Sequence, residues 1–562
     1  MPIKSRWTVD IPDISLPTFL FGSPTVDLPT TPLIIDPRAP DDAYLTMTTY
    51  RLWAQRFAAG LLRNGFQKGD RLLLFSGNTI FFPVIIMGTI MAGGIFSGAN
   101  PSYVPRELAY QLKDTGARFL ITSEASLDTA LEAAQMVGVD KSRLFAFDDG
   151  LATAAGQGKN HGEVRHWSTL LASEAEGKAY AWPELSSEEL DHTSCTLNYS
   201  SGTTGVPKGV EITHRNYVAN SVQIQYQNRL DPDFEAVTAR AKLLCFLPMY
   251  HAYGLTVFTL NAAIENIPSY IMNKFDFVTM LEYVERFRIS FLVLVPPVVV
   301  AMAKSPLTKK YDLSAVERVG CGAAPLGREV CVELEKLWPQ GVVNVKQGWG
   351  MTELTCSAMG WDPTHTSESF SVGELNANCE ALLLDDSGSE VSQGERGEIW
   401  ISAPNVMKGY WNKPEATAET LTTDKQGKIW LKTGDIAYID DQNRFYIVDR
   451  KKELIKVKGN QVAPAELEAL LLDLDPVADA AVIGVSIEDE EYPRAYIQVK
   501  EGQTLTEAQV HEFMNKRVAF HKRLTGGVRF IDAIPKNPSG KILRKILKDA
   551  ANAEQKAPKA KL

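Results

Sequence analysis

The sequence predicts an α/β protein with a large multi-sheet N-terminal domain and a small α+β C-terminal domain. Three observations support this fold class. The 562 residues exceed what one hydrophobic core normally supports. Helix–turn–strand units repeat over residues 47–148, which is typical of parallel α/β layers. Short alternating strands, separated by Gly and Asp-Ser-Gly turns, follow over residues 372–434 and indicate a β-rich subdomain.

The first elements of the large domain can be placed in chain order. Residues 1–45 are proline-rich, and we expect them to wrap the surface. Residues 47–75 predict an amphipathic helix that ends near Asn64-Gly65, then a turn and a buried strand. Residues 150–190 are polar and contain Gly, Ala and Ser, so we expect a connection there before the chain returns to the sheet.

Two apolar stretches raise the question of a membrane-spanning helix. Residues 72–105 carry no charge, but Pro83 and Gly93-Gly94 interrupt them, so they predict a strand, a buried helix and a second strand. Residues 291–303 are too short to span a bilayer and predict a central strand followed by a helix that begins at proline. No transmembrane segment is therefore expected.

A charged run, Asp449–Glu453, interrupts the strand pattern and marks the domain boundary that we predict. The large domain then spans residues 1–448. Residues 454–562 form a compact α+β unit of about 110 residues, which is the size of a small domain.

Charge and cysteine content exclude several classes of protein. The net charge of −10 argues against general binding to nucleic acid or anionic membranes, which requires a basic surface. The six cysteines are scattered and form no Cys-x-x-Cys pair. We therefore expect reduced, buried cysteines of an intracellular protein, with neither a disulfide framework nor a zinc site.

The two ends of the chain bear on localisation. The N-terminus lacks the apolar core of a secretory signal. The C-terminus reads Ala560-Lys561-Leu562, a small-residue variant of the Ser-Lys-Leu peroxisomal address. We expect a peroxisomal protein recognised by the import receptor through these three residues; the alternative is a frayed basic tail on a cytoplasmic protein.

A glycine-rich loop at residues 199–210, YSSGTTGVPKGV, has the composition of a phosphate-binding loop. Glycines let backbone amides converge on an anion, while hydroxyls and a lysine donate to phosphate oxygens. The loop is not a Walker A motif, because Pro207 precedes and Gly209 follows Lys208. A glycine-rich surface turn is the simpler alternative. The candidate phosphate-binding residues are Ser200, Ser201, Gly202, Thr203, Thr204, Gly205 and Lys208.

Four stretches taken together resemble one superfamily. They are YSSGTTGVPKG (199–209), GWGMTE (348–353), KTGD (432–435) with DRKKELIKVKGNQVAPAELE (449–468), and PKNPSGKILRK (535–545). In this order they resemble the adenylate-forming superfamily of acyl-CoA synthetases, luciferases and peptide-synthetase adenylation domains. LPMYHAYGL (247–255) and CGAAPLG (321–327) are similar to the 4-coumarate–CoA-ligase-like branch. The resemblance covers residues 45–548.

The resemblance implies an ATP-dependent carboxylic acid–CoA ligase that works with Mg²⁺. The acid and ATP give acyl-AMP and pyrophosphate, and the CoA thiol then displaces AMP. The chemistry needs donors for pyrophosphate, a metal ligand, a cation near the α-phosphate and a grip on the nucleoside. In addition to the loop, the expected ATP- and AMP-binding residues are Ala323, Ala324, Pro325, Gln347, Gly348, Trp349, Gly350, Met351, Thr352, Asp435, Ile447, Arg450 and Lys541.

The resemblance also assigns catalytic roles. It implies catalytic residues at Lys541, Lys456, His251, Thr352 and Glu353, with Glu353 as the Mg²⁺ ligand. It further implies CoA-binding residues at Lys458, Gly459 and Gln461. Residues 449–453, around Asp449 and Lys452, would form a hinge about which a mobile small domain swings between the two half-reactions.

Several assignments have simpler alternatives. Asp435 could be a turn residue, Trp349 a core residue and Glu353 a helix cap. Lys541 could belong to a solvated basic face, and His251 could be a structural histidine. The sequence also departs from the family pattern, since Trp349 replaces the usual tyrosine and Asn460 stands where an aromatic or aliphatic residue is common.

The resemblance places the acyl pocket among mainly small, neutral residues. They are His251, Ala252, Tyr253, Val257, Gly320, Gly322, Ala323, Gly348, Cys356 and Ser357. This composition favours an aryl or medium-chain monocarboxylic acid. The functional alternatives are an adenylation enzyme that loads a carrier protein, a luciferase-like oxygenase, or a non-catalytic nucleotide or acyl binder.

Overall fold

A computed structural model of the chain describes residues 2–200, 207–458, 460–487, 490–538 and 540–556. It confirms the predicted α/β fold class, with layered sheets in a large N-terminal domain and a smaller C-terminal domain. The predicted strand, helix and strand of residues 72–105 are Arg71–Phe75, Phe82–Met91 and Ile95–Ala99. In the described part of the chain, no helix combines the length and the apolar character needed to cross a bilayer.

The first sheet has eight described strands and carries the glycine-rich loop at one side. Five strands, from Ile95–Ala99 outward to Arg165–His166, run parallel, and Ser194–Ser200 pairs parallel with the first of them. In order the strands are Gly409–Tyr410, Lys208–Thr213, Ser194–Ser200, Ile95–Ala99, Arg71–Phe75, Phe119–Ser123, Leu144–Phe147 and Arg165–His166. The flanking helices include Met47–Arg63, Phe82–Met91, Pro105–Thr115 and Leu127–Val137.

The second sheet has seven described strands, and its neighbours pair in parallel except at one edge. In order they are Val345–Gln347, Arg318–Cys321, Phe291–Leu294, Leu243–Cys245, Ser269–Ile271, Ile34–Ile35 and Tyr44–Leu45. Helices Phe277–Phe287, Pro296–Lys304 and Arg328–Glu335 alternate with its strands along the chain, and helices His214–Asn228 and Phe234–Arg240 precede strand Leu243–Cys245. One continuous apolar core contains residues of both sheets.

The predicted β-rich subdomain is a six-stranded antiparallel sheet. Its described strands are Ile3–Lys4, Glu380–Leu384, Gly397–Ser402, Ile429–Ile439, Leu421–Thr423 and Phe445–Arg450. Helix Pro414–Thr420 lies beside it, and strands Met359–Gly360 and Glu374–Leu375 form a separate pair. The last strand of this sheet ends at Arg450, so the large domain reaches into the charged run of residues 449–453.

The small domain has apolar cores of its own. Its strands are Val477–Ile487, Glu490–Val499 and Gly527–Phe530, with a separate hairpin of Ile455–Val457 and Asn460–Val462. Its helices are Pro464–Leu472, Glu507–Asn515 and Arg544–Lys556.

One prediction needs correction. The polar connection predicted for residues 150–190 contains the edge strand Arg165–His166 and the short helices Leu151–Ala154, Glu174–Ala179 and Ser187–His192. Trp167 in this segment is fully buried among other aromatic rings. The segment is therefore more than a connection, because it adds an edge strand and the buried Trp167 ring to the large domain, although most of its residues are half-buried or exposed.

Candidate active site

The glycine-rich loop closes an antiparallel hairpin. Ser200 and Lys208 are paired residues at the ends of Ser194–Ser200 and Lys208–Thr213. Five predicted phosphate-binding residues, Ser201, Gly202, Thr203, Thr204 and Gly205, lie outside the described residues. At the base of the loop the ammonium of Lys208 lies 4.6 Å from the centre of the Tyr410 ring. A cation over an aromatic face is attracted by the ring quadrupole.

Tyr410 links this lysine to the predicted metal ligand. Its hydroxyl donates a 2.8 Å hydrogen bond to Oε1 of Glu353, and the nearby carboxylate, together with burial, raises the pKa of Tyr410. The phenol therefore remains a neutral donor. Sequence reasoning missed Tyr410, because the two residues are 57 positions apart and Gly409-Tyr410 has no local signature of an active-site strand.

The segment from Gly348 to Ser357 holds Thr352 and Glu353 in a buried 3₁₀ turn. A Cβ atom at Gly350 would lie 1.8 Å from the carbonyl oxygen of Cys356, so only glycine fits there. Met407 donates its backbone N–H to the Glu353 carbonyl at 2.8 Å, and this hydrogen bond stabilises the turn from a distant part of the chain. The Glu353 carboxylate is therefore fixed by its backbone and by Tyr410.

Asp435 and Arg450 face each other on neighbouring antiparallel strands. The guanidinium Nε lies 3.8 Å from Oδ1 of Asp435, while the indole N–H of Trp349 donates to Oδ2 at 2.9 Å. Burial raises the pKa of Asp435, and Arg450 and Trp349 oppose that rise. Ile447 lies on the same strand as Arg450 and is half-buried.

Lys541 comes from the small domain and completes the cluster. Its backbone N–H donates to the side chain of Asn537 at 2.9 Å, which closes the turn before helix Arg544–Lys556. Burial, and then the like charge of Arg450, lowers the pKa of Lys541 to about 8, although the carboxylates of Asp435 and Glu353 act in the opposite sense. The lysine therefore lies within electrostatic range of residues from three separate sequence motifs.

The turn that carries Lys541 is packed against the large domain. Gly540 has a φ of +83°, and a Cβ atom there would lie 2.9 Å from Cδ of Pro297 in helix Pro296–Lys304. At the other end of this helix, the ammonium of Lys304 donates to the carbonyl of Leu472, at 2.6 Å, and to that of Val477 in the small domain.

His251 lies within electrostatic range of Lys541. Its Nδ1 accepts the backbone N–H of Tyr253 at 3.3 Å. Burial, followed by the charge of Lys541, lowers the pKa of His251 to about 3, so the imidazole is neutral at physiological pH. The site thus offers one cation and one neutral hydrogen-bonding ring to a carboxylate.

Ala323, Ala324 and Pro325 form the loop between strand Arg318–Cys321 and helix Arg328–Glu335. The Ala323 backbone has a φ of +77°, a left-handed conformation that is strained for a residue with a Cβ atom. The buried Gln347 side chain supports this loop by donating to the Leu326 carbonyl at 3.0 Å. Strained, supported loops of this kind are frequent at binding sites.

Of the predicted acyl-pocket residues, Tyr253 lies close to Gly322, which directly follows strand Arg318–Cys321. A Cβ atom at Gly322 would contact the Tyr253 ring at 3.4 Å. Ala252 is buried, and Val257 lies in the π-helix Leu255–Asn261. π-helical turns are frequent at functional sites.

Cys356 and Ser357 follow the Glu353 turn. Burial raises the pKa of Cys356 to about 12, so its thiol is not a nucleophile at neutral pH. The Ser357 carbonyl accepts the Asn220 amide at 2.7 Å, which anchors this wall to helix His214–Asn228.

The predicted CoA-binding residues lie on the small-domain hairpin. Lys456 pairs with Gln461 across the two strands, and both side chains, like that of Lys458, are exposed. Gly459 lies outside the described residues. Exposure leaves these side chains accessible to an incoming ligand.

The predicted hinge residues differ in their surroundings. Asp449 is buried, and its carboxylate accepts backbone N–H groups from Arg450, at 2.7 Å, and Ala465, at 2.9 Å. Lys452 is exposed.

Arg544 is a second residue that sequence reasoning missed. Its guanidinium donates from Nη1 to Glu453 at 2.6 Å and from Nη2 to both carboxylate oxygens of Glu468 at 2.8 Å. Arg544 begins the helix that follows Lys541. Its ion pair with Glu453 therefore connects the turn that carries Lys541 to the charged residues 449–453. The basic appearance of ILRK gave no indication that Arg544 is buried in an ion-pair network.

Comparison with known proteins identifies the family of the chain. The chain matches the AMP-binding enzyme family over residues 28–411 and the AMP-binding enzyme C-terminal domain over residues 466–541. It is 38% identical over 511 residues to 4-coumarate–CoA ligase 2 of Nicotiana tabacum, covering 90% of this chain and 89% of that protein. It is 35% identical over 558 residues to phenylacetyl-CoA ligase epaB of Aspergillus niger, covering 98% and 99%.

A solved structure shares the fold. ATP-bound MatB from Rhodopseudomonas palustris superposes with a TM-score of 0.80 at 27% identity, over 96% of this chain and 99% of that one. Both family matches, and full-length relatives above 30% identity, show the family of this chain. The chain therefore belongs to the AMP-binding enzyme family, among its AMP-forming acyl-CoA synthetases.

Proposed function

We propose that this protein is an ATP-dependent carboxylic acid–CoA ligase in which Lys541 is the adenylation lysine. The observation that carries the proposal is that Lys541, from the small domain, lies within electrostatic range of His251, Glu353, Asp435 and Arg450 of the large domain. A binding protein does not require a buried cation at the junction of a carboxylate site and a nucleotide site.

In the first step, a carboxylate oxygen of the acid attacks the α-phosphorus of ATP. The new bond is a mixed anhydride, and the bond to pyrophosphate breaks. Lys541 neutralises charge on the carboxylate and the α-phosphate, while neutral His251 orients the carboxylate. Asp435 and Arg450 hold the ribose, Thr352 donates to the α-phosphate, and the loop from Ser200 to Lys208 receives the leaving pyrophosphate.

Glu353 is the expected Mg²⁺ ligand. Oε1 of Glu353 accepts the Tyr410 hydroxyl, so the second carboxylate oxygen is available for a cation. Within the residues that the structure describes, no group of three or more His, Cys, Asp or Glu side chains is arranged to hold a metal. Mg²⁺ commonly binds through one or two carboxylates together with substrate phosphates, which is the arrangement that we propose for Glu353. The ion would neutralise phosphate charge.

In the second step, the CoA thiol attacks the acyl carbon and AMP leaves with its phosphate. We propose that the small domain, residues 454–562, turns about residues 449–453 relative to residues 1–448. The exposed hairpin with Lys456, Lys458 and Gln461 would then face the acyl-adenylate and guide the thiol. Such a gate separates the two half-reactions.

For the acid, we propose an aryl or medium-chain monocarboxylate. The predicted pocket contains no Lys or Arg, and its histidine is neutral, so a second carboxylate would lack a partner. The tobacco and Aspergillus relatives are named as ligases of 4-coumarate and phenylacetate, which supports the choice of an aryl acid.

We also propose a peroxisomal location through Ala560-Lys561-Leu562, which lie outside the described residues. A fluorescent fusion that stays punctate without these three residues would refute the proposed location.

The function is tested with a panel of 4-coumarate, phenylacetate, octanoate and palmitate, each with ATP, Mg²⁺ and CoA. AMP, pyrophosphate and thioester should form together with at least one acid. Lys541→Ala should abolish adenylation yet convert supplied acyl-adenylate to thioester. Lys545→Ala, at an exposed lysine on the adjoining helix, is the matched control. No thioester with any acid, or equal loss of both steps in Lys541→Ala, would contradict the proposal.

A further inference from the structure

The hydrogen bond between Trp349 and Asp435 lies where the sequence departs from the family pattern. The indole Nε1 donates to Oδ2 of Asp435 at 2.9 Å, and the two residues are 86 positions apart. A tyrosine, which the family commonly has here, would present its polar group at the end of the ring rather than on its side. The contact therefore depends on the indole side chain of Trp349.

The backbone around Trp349 fixes the direction of the indole. The Trp349 N–H donates to the Met359 carbonyl at 3.2 Å, and the Met359 N–H donates back to the Trp349 carbonyl at 3.1 Å. The side chain is 8% exposed, so packing restricts its rotamer. The indole N–H is thus a preorganised donor that does not have to be ordered when a ligand binds.

The two oxygens of the Asp435 carboxylate have different surroundings. Oδ2 accepts the indole, whereas Oδ1 lies 3.8 Å from the Arg450 guanidinium, which is longer than a hydrogen bond. An indole has a single donor and no acceptor, so it fixes one oxygen without neutralising the carboxylate. The remaining lone pairs stay available for hydroxyl donors.

We infer that Trp349 is a positioning residue that orients the Asp435 carboxylate toward the two ribose hydroxyls, and so sets the preference of this enzyme for ribonucleotides. The inference rests on the proposed function only in taking Asp435 as the ribose acceptor. Trp349 acts through Asp435 in addition to any stacking of its ring on adenine.

The chain offers a matched control for the removal of an indole N–H. Trp361 is also 8% exposed, and its Nε1 has no hydrogen-bond partner among the described residues. Trp349→Phe and Trp361→Phe therefore make the same substitution at equal burial, and only the first removes a hydrogen bond. Thermal unfolding of both variants reports any shared packing loss.

The test measures the affinity of the full chain for AMP and for 2′-deoxy-AMP by calorimetry. The wild type should prefer AMP by about tenfold, the effect of one hydrogen bond to a charged acceptor. Trp349→Phe should remove most of this preference, and Trp361→Phe should leave it unchanged. An equal loss of affinity for both nucleotides in Trp349→Phe would overturn the inference, because it would indicate stacking alone.

A double-mutant cycle tests whether Trp349 acts through Asp435. Asp435→Asn should lose the preference for AMP while still binding it, and adding Trp349→Phe should then change the ratio no further. A preference that survives Asp435→Asn would overturn the inference even if Trp349→Phe failed to fold. Additive losses in the double variant would overturn it as well.

The pH profile gives a readout that a packing role would not move. The indole hydrogen bond favours the charged form of Asp435 and so opposes the rise in its pKa caused by burial. Trp349→Phe should therefore shift the acid limb of kcat/KM for ATP to higher pH. An unshifted limb would contradict the inference. Because AMP binding needs neither acid nor CoA, failure of the ligase assay and failure of the nucleotide preference remain distinguishable.

Discussion

The ionisation of Lys541 should control the pH dependence of adenylation. Its pKa is lowered to about 8 by burial and by Arg450. A lysine whose pKa is lowered carries its charge below that value and loses it above. At pH 7 about nine-tenths of the free enzyme would carry the charge, and at pH 9 about one-tenth would. The kcat/KM for ATP should therefore fall about tenfold between pH 7 and pH 9.

The assay is ATP–pyrophosphate exchange without CoA, followed from pH 6.5 to 9.5. Omitting CoA removes the ionisation of its thiol from the profile. Bound phosphates favour the charged amine of Lys541. The alkaline decrease in kcat should therefore occur at higher pH than the alkaline decrease in kcat/KM. This difference separates an ionisation of the free enzyme from one of the complex.

Lys541→Arg is the informative variant, because a guanidinium stays protonated throughout this range. The exchange rate of this variant should be lower than that of the wild type, since the planar guanidinium cannot reproduce the position of an ammonium. Its rate should, however, show no decrease at alkaline pH. Equal wild-type rates at pH 7 and pH 9 would refute the reasoning. So would an alkaline limb of the same midpoint in Lys541→Arg, which would assign the ionisation to another group.

Three further predictions concern packing. Lys304→Met removes the hydrogen bonds to the Leu472 and Val477 carbonyls and should slow adenylation about fivefold, with thioester formation from supplied acyl-adenylate unchanged in stopped assays. Gly540→Val places a side chain against Pro297 and should slow adenylation about a hundredfold in the exchange assay, with the second step spared. Trp167→Ala, at a fully buried ring, should lower the free energy of unfolding by about 3–5 kcal/mol in urea titrations, and a loss below about 1 kcal/mol would contradict its place in the core.

Local patterns were enough to predict the fold class and the strand–helix–strand unit of residues 72–105. They failed at residues 150–190, where the strand Arg165–His166 is only two residues long and cannot display a period-two pattern. Trp167, directly after it, packs against Phe57, Phe81 and Phe147 from distant parts of the chain. A polar segment that contributes one large ring to a core has no composition signal.

The candidate site also contains residues that local patterns predict and residues that they do not. Residues within one motif, such as Thr352 and Glu353, were predictable because their spacing is local. Tyr410 and Arg544 were not, since their partners lie 57 to 91 positions away and only the tertiary structure brings them together. The nucleotide-binding role expected for Trp349 stays a prediction, while its hydrogen bond to Asp435 is a long-range contact that no motif encodes.

The low pKa of Lys541 and the arrangement of the two domains have a common cause. Lys541 is shielded from water because its turn, at Gly540, packs against Pro297 of the large domain, and Lys304 holds the opposite end of the same helix to the small domain. If the small domain turned away, the ammonium would regain its hydration and its pKa would return toward the usual value of about 10.4. Closing the domains therefore destabilises the charge of Lys541, and an anionic carboxylate and phosphate compensate for that destabilisation. Occupation of the site by both anions would favour the closed arrangement, whereas release of pyrophosphate would remove part of that stabilisation and permit the small domain to turn.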